Sequence, residues 1–317
     1  MIFGGIDIGG TSVKVGFVDK NGKILCKDSF YVHSIKNYDN FLKTLHSSII
    51  SLIKYLDDDS AIQGYGVGCP GRINTKDGKV IWCKGKLEFI ENQLLGADLE
   101  TLLNKPVVCD NDVNSIVLGE ALFGKGKGLD IVIGLTFGTG IGGGIVINGD
   151  ILRGEHFTAG HFGYMSQKSD GRKHESGNAG AIEIHSSHSG ILYKVKDAIR
   201  SGIKTSLEQK LNNNVLGFDN LYEESNAGDQ LSMGLVNELE IEMSVLIANL
   251  IFAFDPSITL VGGGLLNADK SILSRVKKNI KKRIDFLNEK EIIVEPMSHY
   301  DKVGILGGAA LAKTELN

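Results

Sequence analysis

Apolar residues alternate with polar or small ones through the first thirty positions, then recur at three- and four-residue spacing. The alternation over 2–8, 12–18 and 23–30 predicts three strands. The second and third are joined by Asp19-Lys20-Asn21-Gly22, whose Asn-Gly pair is the strongest short hairpin signal. Over 38–56, Phe41, Leu42, Leu45, Ile49, Leu52, Ile53 and Leu56 predict an amphipathic helix. A strand at 65–68, a hairpin at 73–82, a helix at 98–103, a strand at 107–109 and a helix at 113–123 follow. A second series begins with a strand at 131–137 and a hairpin at 144–152 that reverses at Asn148-Gly149. Helical stretches at 179–203 and 228–254, a strand at 258–261, a helix at 270–286, a strand at 291–295 and a helix at 303–313 complete it. Twice, strands with hairpins lead to helix and strand, without any identical repeat. The tract 166–189, rich in Ser, Gly, His and Lys, reads as an exposed loop.

A length of 317 residues, about twice the ~150 of an average domain, fits two domains. Hydrophobic residues at 42% and charged residues at 23% exclude disordered, collagenous and coiled-coil chains. Thirty-four Lys+Arg against 38 Asp+Glu leave no electrostatic footprint for nucleic acid or anionic lipid. Cys26, Cys69, Cys83 and Cys109 form no Cys-x-x-Cys pair, which fits a reducing cytosol. The N-terminus lacks a basic region and reads as strand, not signal peptide. The longest apolar runs, 131–147 and 243–254, are broken by glycines or too short for the ~20 residues of a membrane helix. The expectation is a cytoplasmic protein without nucleic-acid or membrane partners.

Glycine changes the picture, with 41 residues against four prolines, gathered at 4–10, 64–71, 134–144, 262–264 and 304–308. A glycine at a strand end lets backbone approach a ligand or adopt positive φ, so these clusters read as phosphate-gripping turns. In Asp7-Ile8-Gly9-Gly10-Thr11, Gly9 and Gly10 offer backbone N–H groups, Thr11 adds a hydroxyl, and Asp7 is suited to hold Mg²⁺ through water. The alternative is a plain hairpin with an incidental aspartate. In the second turn, from Thr136 to Gly144, Gly138, Gly140 and Gly143 satisfy G-x-G-x-x-G, but the segment opens a strand and so fails as a dinucleotide fingerprint. The stretch 119–125 starts like a Walker A loop, yet Gly126 stands where Ser or Thr would bind Mg²⁺. Gly262-Gly263-Gly264 ends a strand and either admits an adenine ring or lets a helix pack closely.

Asp110-Asn111-Asp112 lies where a strand enters a helix. Asn111 or Asp112 either serves simply as the helix N-cap or puts the same geometry to chemical use. An aspartate at a helix N-terminus is held ionised by the dipole and can accept a hydroxyl proton as the oxygen attacks phosphorus. Positioning and charge neutralisation supply most of the acceleration in phosphoryl transfer, so one carboxylate suffices.

Together these segments resemble the ROK family of sugar kinases and repressors, within the actin-like ATPase superfamily, over about 2–310. Asp7-Ile8-Gly9-Gly10-Thr11 with Lys14 is similar to the family's first phosphate loop, and 136–144 to its second. Cys69-Pro70-Gly71-Arg72, and Asn111-Asp112-Val113-Asn114 with Gly119-Glu120, are similar to its substrate and base segments, and 149–163 to its signature stretch. The resemblance implies an α/β, actin-like ATPase (ribonuclease H-like) duplicated fold with a cleft between two domains. These are 1–120, completed by a C-terminal helix at about 300–317, and 121–299. It implies ATP and Mg²⁺, with Gly9, Gly10, Thr11, Lys14, Thr136, Gly138, Thr139, Gly140, Gly262 and Gly263 on the nucleotide. Asp112 would be the base in transfer of the γ-phosphate to a sugar hydroxyl, at the 6-position. Gly71, Arg72, Asn111, Asp112, His161, Tyr164 and Glu183 would surround the sugar, in a homodimer.

The chain also departs from the family. Where many members read Ala-Gly-Glu-x-Gly-His, it reads Ala159-Gly160-His161-Phe162-Gly163-Tyr164. The zinc motif Cys-x-Cys-Gly-x-x-Gly-Cys is here His174-Glu175-Ser176-Gly177-Asn178-Ala179-Gly180-Ala181. With Tyr164, His174, Ser176 and Ala181 at the ligand positions, zinc is not expected. His156, His161, His174, His185 and His188 read as loop histidines, not metal ligands. Tyr164 resembles zinc-free members, β-glucoside kinases among them, and His161 lacks the carboxylate that pairs with ring hydroxyls. The alternatives to a hexose or hexosamine kinase are therefore a β-glucoside kinase and a catalytically degenerate sugar-binding or regulatory protein. A repressor's helix-turn-helix finds no room before Asp7, and Gly71-Arg72 with Asn111-Asp112 argues against a chaperone-type actin-like ATPase.

Overall fold

The structure is a computed structural model that describes residues 1–83, 85, 87–298 and 302–316. The chain forms β1 (Ile2–Ile8), β2 (Ser12–Asp19), β3 (Ile24–Tyr31), α1 (Tyr38–Ile53), β4 (Ile62–Cys69), β5 (Arg72–Asn74), β6 (Lys79–Trp82), α2 (Leu95–Leu103), β7 (Val107–Asn111) and α3 (Asp112–Phe123). There follow β8 (Ile131–Phe137), β9 (Ile141–Ile147), β10 (Asp150–Ile151), α4 (Glu183–Ser186), α5 (His188–Arg200), α6 (Leu207–Asn212), α7 (Phe218–Asn226) and α8 (Gln230–Phe254). Last come β11 (Ile258–Gly262), α9 (Leu265–Ala268), α10 (Ile272–Lys281), β12 (Val294–Pro296) and α11 (Val303–Glu315).

Two five-stranded sheets result, ordered β3-β2-β1-β4-β7 and β10-β9-β8-β11-β12. Counting sheet strands within each half, both run third, second, first, fourth, fifth, so the echo in the sequence is a duplicated topology. In the first sheet β1–β2 and β2–β3 pair antiparallel, β1–β4 and β4–β7 parallel. In the second, β9–β10 is antiparallel and β11–β12 parallel. The chain packs as two compact units, one of Met1–Val132, Gly144–Gly160 and Met297–Asn317, the other of Ile133–Gly143 and His161–Pro296. Residues 300, 301 and 317 of the expected C-terminal segment lie outside the described residues.

The strand period of two explains the first unit's layers. Ile6 and Ile8 point to one face of β1, where with Val15, Phe17, Tyr65 and Val67 they bury against Phe41, Leu45 and Ile49 of α1. Phe3 and Gly5 take the other face, against α11, which brings Ile305, Leu306, Ala309 and Ala312. That helix seats because both partners are small. A β-carbon at Gly5 would collide with the Ile305 carbonyl, and one at Gly66 with the Gly308 carbonyl. Gly5, Gly66 and Gly308 therefore serve helix–sheet packing, not the phosphate grip their clusters suggest.

Other expectations shift as well. The helical stretch expected at 179–203 is broken at Ser187, whose extended backbone (φ −81, ψ 168) and hydroxyl cap α5 by accepting from Gly190 N–H. The tract 166–189 is not simply exposed: His174, Ala181, Ile182, Ser186 and Ser187 are buried, and Ser166 pairs with Ala181 and Lys173 with Ala179. The helix expected over 270–286 stops at Lys281, and the strand expected from 291 begins at Val294. Among the described residues no helix is long and apolar enough to cross a membrane.

Candidate functional site

In the first unit, the turn between β1 and β2 is closed by Gly9 N–H donating to the Ser12 carbonyl (3.0 Å), while the Thr11 carbonyl accepts from Val32 N–H (3.0 Å). Gly10 and Thr11 stay exposed at its tip. Antiparallel register sets Asp7 directly opposite Lys14. Only glycine at 304 lets the first turn of α11 pass beside the Asp7 carboxylate, since a β-carbon there would collide with it. Burial and the charge of Asp112 push the Asp7 carboxyl up to about 6, against the pull of the Lys14 ammonium.

At the end of β7, Asn111 caps α3. Its Oδ1 accepts from Val113 N–H (2.9 Å) and Asn114 N–H (3.2 Å), and its Nδ2 donates to the Gly71 carbonyl (3.0 Å). Gly71 itself requires glycine, with φ +98 and the Trp82 carbonyl where a β-carbon would sit. Asp112, half-buried, accepts from Val113 N–H (3.0 Å). The next residue of the Gly71 turn, Arg72, has its Nε buried without a hydrogen-bond partner.

Asp110 carries a role that its sequence context did not assign. It is 2% exposed and accepts from Arg153 Nε (2.6 Å), Asn114 Nδ2 (2.9 Å) and Asn111 N–H (2.6 Å). The available signal was a carboxylate directly after the apolar run Val107-Val108-Cys109. Glu120, also buried, accepts from Ser298 N–H (2.6 Å) and Oγ (2.8 Å) and so ties α3 to the segment before α11.

In the second unit, the turn between β8 and β9 is braced from two directions. Gly138 N–H donates to the Gly140 carbonyl (2.9 Å), and the Gly138 and Thr139 carbonyls accept from His188 and Ser189 N–H at the start of α5 (2.9 and 3.3 Å). Ile141 N–H donates to Glu183 Oε2 (2.6 Å), and a β-carbon at Gly140 would collide with that carboxylate. Thr136 is half-buried and Thr139 exposed. Glu183 Oε1 lies 3.0 Å from His174 Nε2. The Tyr164 ring lies against His174 (centroids 4.8 Å apart) and edge-on to His161 (5.3 Å). His161, Tyr164 and Glu183 are thus brought together, with His174 among them. Gly262 is buried at the end of β11, and Gly263, at φ +96, packs against the Phe137 backbone.

The positions matching the family's zinc ligands hold a phenol, an imidazole, a hydroxyl and a methyl group, a donor set unsuited to tetrahedral zinc. Among the described residues no group of three or more His, Cys, Asp or Glu is arranged to hold a metal ion. Mg²⁺ asks for less, one or two carboxylates completed by water and phosphate oxygens. Asp7 fits that demand, because a desolvated carboxyl beside a second carboxylate is relieved by a divalent cation.

The sequence profile of the ROK family matches residues 3–315. A β-glucoside kinase of Listeria monocytogenes is 30% identical over 301 residues, covering 95% of this chain and 94% of that protein. A glucokinase of Thermotoga maritima is 28% identical over 319 residues, covering 98% and 97%. Among solved structures, a ROK family glucokinase from Streptomyces griseus in complex with glucose and AMPPNP aligns with a TM-score of 0.80 at 25% identity, covering 99% of this chain and 100% of that one.

Proposed function

Because this chain belongs to the ROK family and has the actin-like ATPase fold of its sugar kinases, we propose that it is a sugar kinase using ATP and Mg²⁺. The observation that supports this reading most is Asp112 at the start of α3. With Asn111 capping the helix and Val113 N–H on Asp112 Oδ1, Asp112 Oδ2 is left for an acceptor alcohol. Asp112 takes the proton of the sugar hydroxyl as that oxygen bonds to the γ-phosphorus, the bond from phosphorus to the leaving oxygen breaks, and ADP departs with the electron pair.

Gly10, Thr11, Lys14, Thr136, Thr139 and Gly140 supply N–H, hydroxyl and ammonium donors for the nucleotide phosphates, while Gly9 and Gly138, whose own N–H groups close the two turns, let the phosphates come close to the backbone. Both turns are fixed by their own backbone hydrogen bonds, so little reorganisation opposes binding. Gly262 and Gly263 serve the nucleoside. Mg²⁺, when bound, neutralises phosphate charge, and Asp7 holds it through water. Gly71, Arg72, Asn111, His161, Tyr164 and Glu183 contact the sugar, and the 6-hydroxyl is the acceptor. Tyr164 and the 30% identity to a β-glucoside kinase favour a glucosyl unit already substituted at C1. The same reading makes the protein a cytoplasmic homodimer.

The test is ADP release from ATP and Mg²⁺ with glucose, N-acetylmannosamine, N-acetylglucosamine and cellobiose. Sugar-dependent release that disappears in Asp112→Asn is expected. Absence of release with every sugar, or hydrolysis indifferent to sugar, overturns the reading, and binding of sugar without turnover points instead to a degenerate, regulatory protein.

A further inference from the structure

His174 is 8% exposed, and its two ring nitrogens have different work. Ser176 N–H donates to Nδ1 at 3.0 Å, and Ser176 Oγ lies 2.8 Å from the same atom. A backbone amide only donates, so Nδ1 is an acceptor without a proton. The ring is then the neutral form protonated at Nε2, and that N–H points at Glu183 Oε1, 3.0 Å away. The face of the imidazole is covered by Tyr164, with 33° between the planes. The other Glu183 oxygen accepts from Ile141 N–H at 2.6 Å, at the end of the second glycine turn.

We propose that His174 is a positioning residue: by donating from Nε2 to Glu183 it fixes the carboxylate that holds the second glycine turn in its phosphate-receiving shape. It acts entirely through Glu183 and Ile141. The kinetic consequence rests on the kinase reading above, whereas the structural consequence does not. Without that donor the hold of Glu183 on Ile141 N–H weakens, and with it one of the braces of the Gly138–Gly140 backbone.

Two variants separate donation from packing. His174→Phe keeps a ring against Tyr164 and removes the donor, while His174→Gln restores an N–H near the Nε2 position. In His174→Phe the KM for ATP is expected to rise at least about tenfold, the effect of losing a hydrogen bond to a charged group, with a smaller change in kcat. His174→Gln recovers most of it, and in a Glu183→Gln background His174→Phe adds nothing. Hydrogen exchange at the Ile141 amide, read without substrate, accelerates in His174→Phe and returns in His174→Gln. An unchanged Ile141 exchange rate, or a His174→Gln variant as impaired as His174→Phe, overturns the proposal. Nitrogen-15 shifts of the wild-type ring test it without any variant, because a protonated Nδ1 contradicts it. A protein that lacks sugar-dependent ADP release but shows the exchange pattern fails the kinase reading alone.

Discussion

Asp110 and Arg153 form an ion pair, Oδ2 to Nε at 2.6 Å, with the Asp110 side chain 3% exposed and that of Arg153 21%. Arg153 also reaches Glu315 of α11 (2.7 Å), and the second Asp110 oxygen accepts from the Asn111 amide and the Asn114 side chain. The pair therefore sets the backbone from which Asp112 projects. Burial pushes the Asp110 carboxyl up, opposed by the Arg153 guanidinium and the Asn114 amide. Arg153→Met leaves a buried carboxylate without its counter-charge, and removing one partner of such a pair costs about 3–5 kcal/mol. Urea unfolding should show a loss of that size, with part regained in Arg153→Met/Asp110→Asn. Equal stability of Arg153→Met and wild type would contradict the role given to the pair.

Asp112 is close by along the chain, and the proposed kinase reading gives it a part in the chemistry. A positioned general base supplies typically 10²–10⁴-fold in rate. Asp112→Asn should lower kcat by roughly that factor, while unfolding midpoints stay close to wild type because Asn111 retains the cap. Steady-state kinetics beside a thermal melt decide it, since a large fall in stability with kcat intact would assign Asp112 to the fold.

Two glycine-to-alanine changes should move stability in opposite directions. Gly66 lies where a β-carbon would collide with the Gly308 carbonyl, a backbone atom that cannot step aside. Gly66→Ala should cost about 1–3 kcal/mol or more through overpacking between β4 and α11. Gly234 is exposed on α8, and a β-carbon there would meet nothing within 4 Å. Gly234→Ala should stabilise by about 0.4–1 kcal/mol through the unfolded chain and helix propensity. Denaturant titration of both variants checks the contrast.

What could be read from the sequence follows from distance along the chain. The starts of β1, β2 and α1 come from periodicity, because each side chain's exposure there is set by its own element, whereas α1 stops at Ile53, short of the expected Leu56. The Asp7 to Thr11 turn and the Asp110 to Asp112 segment are contiguous, so their candidate chemistry shows in a short string. Glu183 with Ile141, and Asp110 with Arg153, are joined across 42 and 43 residues, and no local pattern encodes such pairs. Glycines are ambiguous for a different reason. Gly5 and Gly9 look alike in sequence, yet one admits a helix and the other turns a hairpin. Helix α7 was legible in principle, since Phe218, Leu221 and Tyr222 are its buried face at spacings of three and one, but its polar surroundings hid so short a stripe.

Asp7 should couple stability to pH in the direction opposite to an ordinary salt-bridged aspartate. Its carboxyl is raised from 3.8 to about 6, so the fold favours the protonated form. The favourable contribution is fully present below about pH 4 and is lost as pH rises through about 6. At pH 8 the ionised group costs on the order of 3 kcal/mol relative to its neutral form, from the size of that shift. Asp7→Asn mimics the neutral form. It should be more stable than wild type at pH 8, with the difference closing between pH 6 and pH 4, and should lose Mg²⁺-dependent turnover. Chemical denaturation at pH 8 and pH 4.5 without nucleotide measures the gap. A variant less stable than wild type at pH 8 would show that Lys14 outweighs burial and Asp112, and would remove the electrostatic reason for a cation beside Asp7.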